Sequence, residues 1–134
     1  VVVGCEAEPP APPPTDPELR VELGIDDEVA IHRIDLAGGE GGIQIVPREM
    51  TVRAGDVVQI VVLDHRVYLI AFDAALGAAE AEFLRGTGQD SPPPLVERGS
   101  RLVLTFEAAP PGRYGFRVEA GGSSAPGVIR VEER

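Results

Sequence analysis

The chain has 134 residues, with 22 acidic groups against 12 basic ones and a net charge of −10. That balance excludes nucleic acid as a partner, because phosphate binding needs a clustered basic surface. A single Cys excludes an intramolecular disulfide and any multi-cysteine metal site, and the length fits one domain around one core.

Residues 1–17, VVVGCEAEPPAPPPTDP, differ in composition from the remainder and read as one unit, with residues 18–134 as the folded domain. Prolines 9, 10, 12, 13, 14 and 17 exclude a helix or a central strand and favour extended polyproline geometry, a semi-rigid acidic tether. Val2-Val3-Gly4-Cys5 resembles a bacterial lipobox, which implies lipidation of Cys5 and attachment to a membrane.

From Leu19 onward, short apolar segments alternate with Gly, Pro and Asp, the pattern of an all-β domain. Strands are expected at Leu19–Leu23, Val29–Leu36, Gly42–Val46, Met50–Arg53, Val57–Leu63, Val67–Phe72, Arg101–Phe106, Arg113–Val118 and Val128–Glu132. Val57–Leu63 is apolar except for Gln59, as a strand covered on both faces would be, and is far short of a membrane span. Gly38-Gly39-Glu40-Gly41-Gly42 reads as a flexible loop, while Ala54-Gly55-Asp56 and Pro110-Pro111-Gly112 are turn signals. One helix is expected, capped by Asp73, running from Ala74 through Leu84 and stopped by Gly86. The fold class is an all-β sandwich with one short helical insertion and an extended Pro-rich N-terminal tail.

Five pieces in order resemble the cupredoxins, the plastocyanin and azurin group. Ile45 through Val58 is similar to that group's early strands, with a P-x-x-apolar-x-V-x-x-G-D-x-V pattern. Val67–Asp73, Leu95–Phe106, Pro111-Gly112-Arg113-Tyr114-Gly115-Phe116 and Pro126–Val131 resemble its later strands, so the likeness spans residues 43 to 132. It implies a Greek-key sandwich, and membership in a group often found in respiratory and photosynthetic electron-transfer assemblies.

The group's copper site does not carry over. In the register of the resemblance, the two His positions fall on Tyr68 and Gly121, the thiolate position on Val118 and the axial Met position on Ala125. Type 1 copper needs two imidazoles and a soft thiolate, so no cofactor is expected.

Other candidates are weaker. Asp64 with His65 forms at best a two-ligand metal site, and His32 is expected at a surface or edge. Asp26-Asp27-Glu28 lacks the spaced oxygens and turn Gly of a calcium loop. Ser91, Ser100, Ser123 and Ser124 have no His at local spacing, and Glu80 and Glu82 point to different helix faces. The chain is therefore not expected to be an enzyme.

Segment 120–126 is small and smooth where a cupredoxin carries its ligand loop, and reads as a flat loop surface. Partner contacts are expected at Pro9, Pro10, Pro12, Pro13 and Pro14 of the tether, and at Arg85, Pro92, Pro93 and Pro94 around the insertion. The resulting expectation is a copper-free accessory subunit, lipid-anchored on the periplasmic face of a bacterial membrane complex, whose negative charge can steer a basic electron carrier. The alternative is a free periplasmic metal- or small-ligand-binding protein using Asp64 and His65.

Overall fold

The structure is a computed structural model that describes residues 29–133 except residue 40. Cys5, the tether prolines, the Leu19–Leu23 strand and Asp26-Asp27-Glu28 lie outside the described residues.

The described chain forms eight strands and one helix: β1 (Ile31–Gly39), β2 (Gly42–Val46), β3 (Glu49–Arg53), β4 (Val57–Val62), β5 (Leu69–Phe72), α1 (Ala78–Gly86), β6 (Arg101–Thr105), β7 (Gly112–Ala120) and β8 (Ser123–Glu132). They build two four-stranded sheets, in the orders β2-β1-β4-β6 and β3-β8-β7-β5. Pairs β1–β4 and β3–β8 are parallel; the remaining pairs are antiparallel. The predicted sandwich with one helical insertion is what forms.

The alternation of apolar residues explains how the sheets face one another. Ile34 and Leu36 of β1, Val58, Ile60 and Val62 of β4, and Phe116, Val118 and Ile129 of the second sheet point into one core. Ile31 lies three residues from Ile34 and so on the opposite face of the sheet, where it joins Val57 in a smaller cluster with Val29 and Val103. Strand β4 is therefore buried almost throughout, Gln59 included.

Close approach fixes one glycine. Gly127 lies opposite Phe116 across the β7–β8 ladder, and a Cβ there would run into the Phe116 ring. Tyr114 closes the turn before β7, its hydroxyl donating to the Pro110 carbonyl at 2.8 Å. Its ring meets Phe106 edge-on at 5.4 Å and Phe83 of α1 at 6.2 Å between centroids, which seats the helix on the core.

Three expectations need correction. The helix begins at Ala78 with Gly77 at its N-cap, and Asp73 does not cap it. Asp73 instead directly follows β5, its backbone N–H donating to the Gly115 carbonyl at 2.9 Å, which ties it to the sheet five residues before the helix begins. Gly38, Gly39 and Gly42 are strand rather than flexible loop: β1 continues through Gly38 and Gly39, and Gly39 pairs with Gly42 of β2. Strands β7 and β8 also run further than expected, to Ala120 and from Ser123, which leaves only Gly121 and Gly122 between them.

Candidate functional site

The four positions that the resemblance matches to copper ligands lie at one end of the sandwich, and three of them are core. Val118 and Ala125 are direct partners across the β7–β8 ladder, both buried, and Tyr68 is fully buried in the same cluster. Gly121 sits at the exposed hairpin tip with φ +56°, and Gly122 follows at φ +85°. Positive φ at both central residues is the requirement of a tight two-residue turn. The smooth loop expected from the sequence is thus a continued ladder closed by glycines, with no room for a ligand loop.

Tyr68 is held by a carboxylate. Its hydroxyl lies 3.0 Å from both oxygens of Asp64, which also accept the backbone N–H of Gly38 at 2.8 Å and of Arg66 at 3.2 Å. Burial pushes the Tyr68 phenol up to about 12, and the hydrogen bond and charge of Asp64 add to the effect. Burial would raise Asp64 as well. The bonds from Gly38, Arg66 and Tyr68, with the charge of Arg66, outweigh it and hold the carboxyl below its ordinary range. The pair locks segment 63–67 without a metal.

The copper of the cupredoxins does not fit these residues. Val118 and Ala125 offer only hydrocarbon, Gly121 has no side chain, and the Tyr68 phenol stays protonated against Asp64. In the Asp64–His65 alternative, Asp64 accepts hydrogen bonds on both oxygens and His65 is exposed. Among the described residues, no group of three or more His, Cys, Asp or Glu side chains is placed to hold a metal ion.

What this end does present is aliphatic surface. The Tyr68–Leu95 bridge sets Val67 beside Val96, and these are 50% and 54% exposed, with Leu69 at 47% and Leu63 at 41%. Val67 and Leu69 line one side of an open groove of about 460 Å³ whose other wall is Glu119 through Ser124. Exposed large aliphatics are normally scattered singly, whereas Val67, Leu69 and Val96 lie on neighbouring segments at this end.

Of the predicted partner residues, Arg85 lies exposed in the last turn of α1, Pro92 is half-buried, and Pro93 and Pro94 are exposed before the Tyr68–Leu95 bridge. The aliphatic surface was not part of the sequence reading. Its signal was present in Val67 and Leu69, whose i, i+2 spacing along a strand puts them on one face.

A second site went unread at the opposite end. His32 Nε2 lies 3.0 Å from Asp56 Oδ2, and Asp56 also accepts the backbone N–H of Arg53 at 3.1 Å and of Ala30 at 3.3 Å. His32 is therefore no simple surface residue. Burial would raise the Asp56 carboxyl, but the bonds from His32, Arg53 and Ala30 and the charge of His32 hold it below its ordinary range. The sequence signal was an Asp directly preceding a strand that is apolar except for Gln59, a place where a carboxylate is carried into the interior.

No protein-family model and no curated protein sequence matches the chain. Solved structures do. Oxidized plastocyanin from Dryopteris crassirhizoma superimposes at a TM-score of 0.54 with 21% identity, covering 75% of this chain and 99% of that one. A purple cupredoxin from Nitrosopumilus maritimus gives 0.51 at 16% identity over the same shares. A copper-containing nitrite reductase from Thermus scotoductus gives 0.52 at 19% identity, and there this chain matches 25% of the longer protein. With the two sheets, their strand order and these superpositions together, the chain has the cupredoxin fold.

Proposed function

We propose that the chain is a non-catalytic, copper-free accessory subunit that docks on the periplasmic face of a bacterial membrane complex of the electron-transfer kind, photosynthetic or respiratory. The observation that carries this reading is the pairing of two features at one end. The ligand positions are filled by core residues and a two-residue turn, and beside them Val67, Leu69 and Val96 stand exposed. A rigid, metal-free end with an aliphatic patch suits contact with a protein surface, since burying such a patch is the main driving force of association. Cys5 serves as the lipid anchor, and the tether gives the domain reach along the membrane surface. With a net charge of −10, the chain raises the local concentration of a basic carrier near its host.

The test is extraction of native membranes in mild detergent, followed by size-exclusion chromatography with absorbance read for haem and pigment. Co-migration with a large coloured complex is expected, and V67E/V96E is expected to release the chain from it with its fold intact. A colourless peak at the monomer mass, for the unaltered chain, overturns the reading.

A further inference from the structure

Among the described residues, strand β6 is an edge of its sheet. The bonds from Phe106 N–H to the Asp56 carbonyl at 3.0 Å, from Gly55 N–H to the Phe106 carbonyl at 2.7 Å and from Val62 N–H to the Ser100 carbonyl at 2.9 Å turn the even-numbered residues of this segment toward β4. Alternation along an antiparallel ladder then turns the backbone groups of Val103 and Thr105 outward, where an added strand would pair.

Thr105 is already taken. Its N–H donates to Gln89 Oε1 at 2.8 Å, and its carbonyl accepts Gln89 Nε2 at 3.0 Å. One side-chain carboxamide thus makes both bonds that a residue of a neighbouring strand would make. Gln89 is itself fixed to the end of α1. Its backbone N–H donates to the Leu84 carbonyl at 2.8 Å and its Nε2 to Thr87 Oγ1 at 2.8 Å, and that hydroxyl donates to the Phe83 carbonyl at 2.9 Å. The same connection treats the facing edge alike. Leu95 bonds Tyr68 in both directions at 2.9 Å, and the three residues before it are prolines, which have no N–H to extend a ladder along β5.

We infer that Gln89 is a built-in plug on the β6 edge that keeps this strand from pairing with the β6 strand of a second copy of the chain. A second copy is the fitting occupant, because an antiparallel pairing centred on Val103 is self-complementary about a two-fold axis.

The experiment uses the full chain and its Q89A and Q89E variants, with far-ultraviolet circular dichroism to establish folding. Glutamate keeps an acceptor for the Thr105 N–H but sets a carboxylate against the Thr105 carbonyl, so it tests the plug where alanine fails to fold. Sedimentation equilibrium from low micromolar to millimolar concentration is expected to give a monomer for the unaltered chain and concentration-dependent dimers for the variants. Hydrogen exchange at the Thr105 amide is expected to speed up in dilute Q89A and slow again on dimerisation. Adding Val103→Pro to Q89A removes an outward N–H without touching the β4 ladder, and is expected to return the variant to monomer. Folded variants that are less stable yet stay monomeric overturn the inference, as does a Q89A/V103P protein that still dimerises.

Discussion

At Asp56 a single buried carboxylate collects two backbone N–H groups and the His32 ring, tying the start of β1 to the β3–β4 turn. A carboxyl held below 3.8 in the fold contributes stability that is present above that value and is lost as pH falls through the folded one. Asp64 shares this direction, so acid unfolding is expected to begin below the ordinary aspartate range. Asn at position 56 turns an N–H₂ toward at least one of these donors, at a cost of roughly 1–3 kcal/mol at neutral pH. Its acid limb is expected to be shallower than that of the unaltered chain, since only Asp64 of the two remains. Urea unfolding at stepped pH values checks both points, and equal acid slopes in the two proteins would assign the acid limb elsewhere. Ala108 is the opposite case, an exposed residue at φ 61° with no side-chain bond to justify the left-handed backbone. Ala108→Gly is expected to raise stability by up to about 1 kcal/mol, which the shift of the denaturation midpoint measures.

The β7–β8 hairpin decides at the scale of an element whether this end can hold a metal. Its ladder runs unbroken from Gly112↔Val131 to Ala120↔Ser123, and the turn depends on two residues with positive φ. Valine at position 121 or 122 forces a branched side chain into the left-handed region and is expected to cost about 1–2 kcal/mol each. Asparagine at 121 is expected to be tolerated, because it enters that region readily. Denaturation midpoints in the order wild type, G121N, then G121V test the turn assignment; a harmless G121V would mean that the tip is not built as described. The same hairpin marks the boundary of what was legible. Strand positions from Val29 to Phe106 followed from alternation and turn residues, because burial on one face of a strand writes a period of two into the sequence. The Gly-Gly pair was equally a hairpin signal, but Ser123-Ser124-Ala125-Pro126 is polar and small, and such residues look like loop until a cross-strand partner is supplied. Likewise Asp73 is a good N-cap by type, and only the ladder bond to Gly115 removes it from the helix.

Across the whole molecule, long-range contacts carry what one-dimensional patterns could not: the carboxylates of Asp56 and Asp64 face partners up to 26 residues away in sequence. The two tyrosines offer a test of that tertiary environment as a unit. Both are fully buried in one core, Tyr68 bonded to Asp64 and Tyr114 to the Pro110 carbonyl, and both phenols are pushed up to about 12. Burial is the first cause in each case, with a neighbouring carboxylate, Asp64 or Glu80, adding to it. A phenol whose folded value exceeds its unfolded value of 10.0 adds stability that is whole below pH 10 and is lost as pH rises toward 12. The chain contains two Tyr and no Trp, so phenolate absorbance reports these two sites without background. In the native protein that absorbance is expected to stay flat above pH 10, then to rise in one cooperative step together with the loss of far-ultraviolet circular dichroism. In denaturant it is expected to follow a simple titration about pH 10. Tyr68→Phe and Tyr114→Phe should each halve the native step, and each should flatten the alkaline fall in stability. A native chain that ionises one tyrosine near pH 10 while remaining folded would place that ring outside the core, and with Tyr68 it would undo the description of the metal-free end.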